Sequence, residues 1–274
     1  MKKRGSRKII RGSKSKRVKS ARSSGKTKAK EAVKKKKHFL ERISSGIPKF
    51  DELVGGGFLK DTVNLIIGGA GSGKTIFATQ FLVDGAKKGE PGVYVTFEEK
   101  KERFYEEMLE LGWDLAELEK KKKFFFIEYT PEQVKKMLEE GGGEIEVVME
   151  DLKAKRIVID SISSFTLLFE SELEKREASL ALFELLRKWN VTSILTLEQE
   201  PFLSGGFTQH ISSPLEFEVD GIMLLYFVRP NGERIREFEI LKMRGTGHSK
   251  KIFGFEIKKG GIKITGKGKF THIK

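Results

Sequence analysis

A glycine-rich segment at residues 68–75, GGAGSGKT, constrains the fold more than any other feature of this 274-residue chain. It matches the pattern G-x-x-x-x-G-K-[S/T], with the apolar run VNLII before it and the helical pattern TIFATQFLVDGAKKG after it. The backbone N–H groups of such a loop, together with the positive end of the following helix, bind phosphate oxygens. The segment therefore predicts a strand, a phosphate-binding loop and a helix, in that order, within an α/β fold.

The residues of this loop have predicted roles in binding a nucleoside triphosphate. Lys74 supplies a mobile cation for the β- and γ-phosphates, and the hydroxyl group of Thr75 is a ligand for Mg²⁺. The residues expected to contact the nucleotide are Gly68, Gly69, Ala70, Gly71, Ser72, Gly73, Lys74 and Thr75. A second Gly-Lys-Thr, within SSGKT, has Ser20 where the pattern needs its first glycine and follows no strand, so we discard it.

Acidic side chains at the ends of two other apolar runs are candidates for metal binding and catalysis. RIVID ends on Asp160, which we predict to hold Mg²⁺ directly or through water; the alternative role is a helix cap. VYVTFEE ends on Glu98 and Glu99. Because side chains alternate along a strand, only one of these two would face the γ-phosphate as the base for water, with Glu98 slightly favoured. The alternative is that both begin the next helix.

The order of apolar runs predicts the architecture. After residue 38, strand-length runs alternate with longer helical patterns, which is typical of a parallel sheet with crossover helices. The last third instead predicts two β-hairpins, one around Asn231 and Gly232 and one in FGFEIKKGGIKIT. We expect a single α/β domain over residues 39–274, with a mainly parallel sheet flanked by helices and with C-terminal β-hairpins.

Positive charge is concentrated at the start of the chain. The formal net charge is +14, yet residues 1–38 hold 18 Lys and Arg against the single acid Glu31, so this tail carries +17 and the remainder −3. With almost no apolar residues to bury, residues 1–38 are predicted to be disordered. The tail is either a solvated segment or an arm that contacts nucleic acid or an acidic partner.

Composition excludes several classes of protein. The absence of cysteine excludes disulfides and thiolate zinc sites, and the four histidines do not have metal-ligand spacing. No apolar run approaches 18 residues, so we expect no membrane segment and a cytoplasmic location. Asn and Gln are scarce while Lys and Glu are abundant, which favours a thermophilic source.

Several segments together resemble the KaiC family within the RecA/RadA-like ATPases. They lie between residues 43 and 264, and they are ISSGIPKFDELVGGGF, PGVYVTFEE, LGWDL, RIVIDSISS and EILKMRGTGH. The resemblance implies a RecA-like P-loop NTPase core that binds ATP and Mg²⁺ and hydrolyses ATP, with Glu98 and Glu99 as the catalytic acids. It also implies rings, usually hexamers, with ATP between neighbouring subunits.

The resemblance gives a role to residues 242–248, hereafter the 242–248 segment. In the family it reaches the neighbouring subunit's nucleotide, which assigns catalytic roles to Lys242 and Arg244 and nucleotide contacts to Met243, Thr246 and His248. From the residues alone, the fold could instead bring this segment back to its own loop. Clock KaiC proteins carry two such domains, so autokinase activity is not implied for this chain.

Two features and three functions stay open at this stage. Residues 201–214 form either a plain surface loop or a ring-facing contact for DNA or a partner, and Thr196 and Glu198 either sense the γ-phosphate or are ordinary strand-end residues. The favoured function is a ring-forming ATPase that regulates or remodels an unknown protein partner. The alternatives are a DNA-directed protein resembling RadA or RadB, and a nucleotide-binding module with little turnover.

Overall fold

The computed structural model describes residues 40–141, 143–204, 207–209, 215–229 and 232–268. The predicted basic tail, residues 1–38, lies outside the described residues. The described residues from Glu41 onward cluster as one unit.

The strands of the main sheet fall into a parallel group and an antiparallel group. The parallel strands are β3 (Val63–Gly68), β4 (Gly92–Thr96), β5 (Phe124–Glu128), β6 (Arg156–Asp160), β7 (Thr192–Glu198) and β10 (Gly221–Val228). The antiparallel strands are β11 (Ile235–Met243), β12 (Phe253–Lys258) and β13 (Gly261–Lys267). Their order across the sheet is β13-β12-β11-β10-β3-β7-β6-β4-β5.

Helices and two small sheets surround these strands. The helices are α1 (Pro48–Leu53), α2 (Lys74–Lys88), α3 (Lys101–Glu110), α4 (Leu115–Lys120), α5 (Pro131–Glu140), α6 (Gly143–Leu152), α7 (Ile162–Thr166), α8 (Glu172–Lys188) and α9 (Leu215–Glu218). The small sheets pair β1 (Arg42–Ile43) with β2 (Phe58–Leu59), and β8 (Phe202–Ser204) with β9 (Phe207–Gln209). Among the helices of the described ranges, none is both long and apolar enough to cross a membrane.

Apolar side chains fill both faces of the sheet. Ile66 and Leu65, neighbours on β3, belong to two separate clusters of buried side chains, because successive side chains of a strand point to opposite faces. All six residues of β3 are buried, as expected for a parallel strand covered on both faces. The sheet is therefore held rigidly in the middle of the fold, and its strand ends provide fixed positions for polar groups.

The predicted architecture is confirmed, and two local predictions differ from the structure. β4 ends at Thr96, before the two glutamates that were assigned to its end. Within the predicted loop, residues 202–204 (β8) pair antiparallel with residues 207–209 (β9). Asn231 of the predicted hairpin turn lies outside the described residues.

Candidate functional site

The predicted phosphate-binding loop connects β3 to α2. Gly71 and Gly73 have φ angles of 72° and 102°, values that glycine adopts without strain. A β-carbon on Gly68 would lie 2.4 Å from the Oγ atom of Ser72, so the loop closes more tightly there than any other residue allows. The buried Ser72 Oγ has no hydrogen-bond partner among the described residues. A tight glycine cradle with a free hydroxyl group inside it fits a bound phosphate.

Lys74 is held over this loop. Its side chain is 7% exposed, and its ammonium group donates to the carbonyl oxygen of Gly69 over 3.1 Å. Burial lowers the pKa of Lys74, while the negative charges of Glu198 and Asp160 oppose that shift. The cation thus has few protein partners and is free to bind a phosphate oxygen.

Asp160 lies at the end of β6 and accepts three hydroxyl hydrogen bonds. Thr75 and Tyr94 donate to its Oδ2 atom over 2.8 and 2.6 Å, and Thr196 donates to Oδ1. Tyr94 is fully buried; burial, and then the charge of Asp160, raises its pKa well above the ordinary value. The carboxylate is therefore fixed beside the Thr75 hydroxyl group. This pair of oxygen ligands suits Mg²⁺.

The two candidate phosphate sensors lie in different surroundings. Thr196 is fully buried and is already bonded to Asp160, so its hydroxyl group holds the acid in place. Glu198 is exposed at the end of β7, within electrostatic range of Lys74. Sensing of the γ-phosphate by either residue stays a prediction.

Glu98 and Glu99 follow β4 in a bend, so strict alternation along a strand does not decide their directions. The backbone N–H groups of both residues donate to the Oγ1 atom of Thr96, over 3.3 and 3.2 Å. The carboxylate of Glu98 accepts a hydrogen bond from the hydroxyl group of Ser164. Burial, and then the charges of Glu107 and Asp160, raises the pKa of Glu99. The two carboxyl groups thus lie in different surroundings: that of Glu98 is held by a hydroxyl group, and that of Glu99 lies near two other acids.

The 242–248 segment and the phosphate-binding loop of the same chain lie at opposite ends of the strands of the sheet. Met243 pairs with Gly221, and Gly221 pairs with Asn64 near the start of β3, whereas the loop begins at the other end of β3 with Gly68. Gly68 lies four residues further along β3 than Asn64, which corresponds to about 13 Å along the strand. Because β11 is antiparallel to β10, the chain after Met243 leads further away from the loop.

Hydrogen bonds fix the two cations of this segment. The ammonium group of Lys242 donates to the carbonyl oxygen of Glu216 over 2.8 Å, and the guanidinium group of Arg244 donates to that of Phe217 over 2.6 Å. Arg244 also forms an ion pair with Asp220 over 3.5 Å, and its side chain is 52% exposed. The cationic end of Arg244 therefore lies at the surface in a defined position.

The other three predicted residues of the segment differ in exposure. The side chain of Met243 is buried in the core, so its contact with a nucleotide stays a prediction that the core packing does not favour. Thr246 is half-buried and accepts a hydrogen bond from Arg42 over 3.0 Å. His248 is half-buried, with its Nδ1 atom 3.0 Å from the carbonyl oxygen of Ser249.

Sequence reasoning missed a cluster of side chains that supports the phosphate-binding loop. Arg236 donates to the carbonyl oxygen of Gly71 over 2.9 Å, and its guanidinium group lies 4.5 Å from the centre of the Phe227 ring. Arg234 lies over the same ring at 4.8 Å. The sequence RIREFE did carry a signal for this cluster, because two arginines spaced two residues apart lie on the same face of a strand.

The fold and the site define a RecA-like P-loop nucleotide-binding protein. A mainly parallel sheet places the loop at the end of β3 and the acid Asp160 at the end of β6, one strand beyond the neighbour β7.

Comparison with known proteins identifies the family. The family model described as "ATPase: KaiC" matches residues 43–269. The chain is 36% identical to the circadian clock protein KaiC3 of Synechocystis over 81% of its own length and 45% of that protein, so it spans less than half of this relative. It is 34% identical to a UPF0273 protein of Pyrococcus horikoshii, over 85% of this chain and 99% of that protein.

A solved structure agrees with these matches. The crystal structure of a KaiC-like protein from the hyperthermophilic archaeon Pyrococcus horikoshii superimposes with a TM-score of 0.72 and 40% identity, covering 82% of this chain and 99% of the other. The chain therefore belongs to the KaiC family of ATPases, and it is an ATP-binding protein of that family.

Proposed function

We propose that this protein is a Mg²⁺-dependent ATPase that forms a ring, in which each ATP site is completed by the 242–248 segment of a neighbouring subunit. One observation carries the proposal: within one subunit, this segment and the phosphate-binding loop lie at opposite ends of the strands of the sheet. One subunit then contributes the loop and its neighbour contributes the cations. Head-to-tail contacts of this kind close into rings, and the family resemblance favours a hexamer.

The residues at the loop edge bind the triphosphate. The loop N–H groups and Lys74 bind phosphate oxygens, and the residues that would hold Mg²⁺ are Thr75 and Asp160. When bound, Mg²⁺ neutralises part of the phosphate charge. Tyr94 and Thr196 hold Asp160 beside Thr75, so little rearrangement is needed on binding.

The glutamate pair supplies the base for the attacking water. Glu98 is our first candidate because its carboxylate is held by Ser164, which lies only four residues beyond Asp160 on α7. Glu99 is the second, since its raised pKa makes it a stronger base than an ordinary carboxylate. Arg244 from the neighbour then stabilises the negative charge on the transferring phosphoryl group.

Single substitutions test the base. We expect Glu98→Gln to lower ATP turnover by 10²-fold or more, in the range typical of general bases, with ATP affinity changed little. Glu99→Gln should lower turnover less. Unchanged turnover in the double variant would show that the pair is not catalytic.

Mixing experiments test the shared site. Arg244→Ala should abolish turnover while ATP still binds, because Arg244 does not lie near its own loop. A mixture of Arg244→Ala with Lys74→Ala should recover part of the activity, since some sites then combine an intact loop with an intact 242–248 segment. A monomeric protein with no recovery on mixing would contradict the shared site.

Nucleotide state would then regulate or remodel a protein partner. The DNA-directed alternative is favoured by one observation only, the charge of +17 on residues 1–38. The module with little turnover is disfavoured because binding alone does not require the glutamate pair.

A further inference from the structure

The glycine triplet of VGGGF, residues 55–57, encloses the side chain of Arg42. The three glycines have φ angles of 71°, 115° and 113°, and a β-carbon on Gly56 would lie 3.4 Å from the Cδ atom of Arg42. The Nη1 atom of Arg42 donates to the carbonyl oxygens of Val54 and Gly57, over 2.9 and 2.8 Å. The triplet thus bends the backbone so that two carbonyl oxygens hold one side of the guanidinium group.

The other side of this guanidinium group reaches the 242–248 segment. The Nη2 atom of Arg42 donates to the Oγ1 atom of Thr246 over 3.0 Å. A second link joins the same two regions, from the N–H group of Ser249 to the carbonyl oxygen of Leu53 over 3.2 Å. Residues on either side of Thr246 are therefore anchored, with Met243 in the core and Ser249 on the end of α1.

The hydrogen bond from Arg42 also determines what the Thr246 hydroxyl group does. A hydroxyl group has one donor hydrogen and accepts through its lone pairs. Because Arg42 has no acceptor and donates to Oγ1, the hydrogen of Thr246 must point elsewhere. A hydroxyl group that accepts a hydrogen bond from a charged group is polarised, so it donates its own hydrogen more strongly.

We infer that Arg42 is a positioning residue for the shared ATP site, and that it aims the hydroxyl group of Thr246 at the neighbouring subunit's nucleotide. This inference rests on the proposed function, because it assigns a role within the same shared site. Arg42 acts in the subunit that donates the 242–248 segment, and it leaves the loop of its own subunit unaffected. The planar guanidinium group is required, since lysine cannot bond two carbonyl oxygens and a hydroxyl group in this fixed geometry.

The first experiment measures ATP turnover of the full chain with Arg42→Ala, and with Arg176→Ala, an exposed arginine of α8, as the matched control. Arg42→Ala should lower turnover at least tenfold, with ATP affinity changed less than about threefold, and Arg176→Ala should retain normal turnover. Turnover of Arg42→Ala equal to that of the control overturns the inference.

Mixing then distinguishes a positioning role from general damage to the fold. Arg42→Ala mixed with Lys74→Ala should recover activity, whereas Arg42→Ala mixed with Arg244→Ala should not, because both defects lie in the donated segment. If the Arg244→Ala and Lys74→Ala pair recovers and the Arg42→Ala and Lys74→Ala pair does not, the Arg42 inference fails alone. Failure of both pairs overturns the proposed shared site, and the inference with it.

A double substitution tests the hydroxyl group itself. Thr246→Val removes the hydroxyl group at similar volume, and Thr246→Ser keeps it, so only the first should lower turnover strongly. Adding Arg42→Ala to Thr246→Val should change turnover less than twofold, because the two residues act through one hydrogen bond. A full additional loss in the double variant would overturn the inference, since Arg42 would then act by another route.

Discussion

At the scale of single residues, hydroxyl groups orient the carboxylate of Asp160, the predicted Mg²⁺ ligand. Its carboxylate is surrounded by hydroxyl groups of three different strands or helices, from Thr75, Tyr94 and Thr196. Hydrogen bonds to an ionised carboxylate are among the stronger ones in proteins, at roughly 1.5–3 kcal/mol each. The three hydrogen bonds thus hold the carboxylate in one orientation before any ligand binds.

Tyr94→Phe should lower the affinity for Mg²⁺ while the fold stays intact. The change removes the donor to Asp160 but keeps the ring, which packs against Phe104 and Phe126. Loss of such an outer contact typically costs 10- to 100-fold in metal affinity, so we expect the Mg²⁺ concentration for half-maximal turnover to rise about tenfold. Tyr105→Phe is the control, because that hydroxyl group bonds Glu119 instead. An unchanged Mg²⁺ requirement would contradict the role of Tyr94.

Glu99 should make stability depend on pH. Because its pKa is raised above the ordinary value of 4.5, its ionised form destabilises the folded state. The cost is absent below about pH 4.5 and grows as pH rises through the raised pKa. Glu99→Gln should therefore raise the Tm at about pH 7–8, with a gain that disappears near pH 4.

Thermal unfolding without nucleotide or Mg²⁺ measures this effect. Glu106→Gln, which changes an exposed glutamate on the following helix α3, controls for the loss of one negative charge. A gain for Glu99→Gln of equal size at both ends of the pH range would contradict the assignment.

At the scale of elements, β10 and β11 support a loop that belongs to β3 and α2. Arg236 on β11 bonds the carbonyl oxygen of Gly71, and the Phe227 ring of β10 lies 3.2 Å from where a β-carbon of Gly71 would be. The antiparallel end of the sheet therefore closes one side of the loop and restricts its conformation.

Arg236→Gln should weaken ATP binding through this support. A lost hydrogen bond costs about 1 kcal/mol net, which corresponds to a rise in Kd for ATP of about fivefold. Arg234→Gln is the matched control, because Arg234 lies over the same ring. Titration of ATP onto both variants measures the difference, and equal Kd values for the two would contradict the assignment of Arg236.

At the scale of the whole molecule, charge separates the tail from the rest of the chain. Residues 1–38 carry +17 and the remaining residues −3, so we expect any binding of single-stranded DNA to be salt-sensitive and to depend on the tail. A variant lacking residues 1–38 should lose at least tenfold in affinity at low salt, measured by fluorescence anisotropy. Strong binding by the shortened chain would instead implicate residues 201–214.

Local chemistry explains how much could be predicted from the sequence. The pattern at residues 68–75, the apolar runs and the Asn231-Gly232 turn are local signals, so the parallel sheet, the loop and the acid of RIVID could be predicted without a structure. The end of β4 could not, because VYVTFEE contains no Gly or Pro that would mark it, and the N–H groups of both glutamates instead donate to the side chain of Thr96.

The sequence by itself determined the architecture, the family resemblance and which residues are predicted to bind phosphate, because each depends on neighbours in the chain. Only the tertiary structure placed the 242–248 segment and the loop of the same chain at opposite ends of the strands, since strand order and register arise from contacts between distant residues. It also joined Arg42 to Thr246, which are 204 residues apart. Pairing over such distances leaves no periodicity in the sequence, and the proposal that Arg244 acts in a neighbouring subunit's site depends on it.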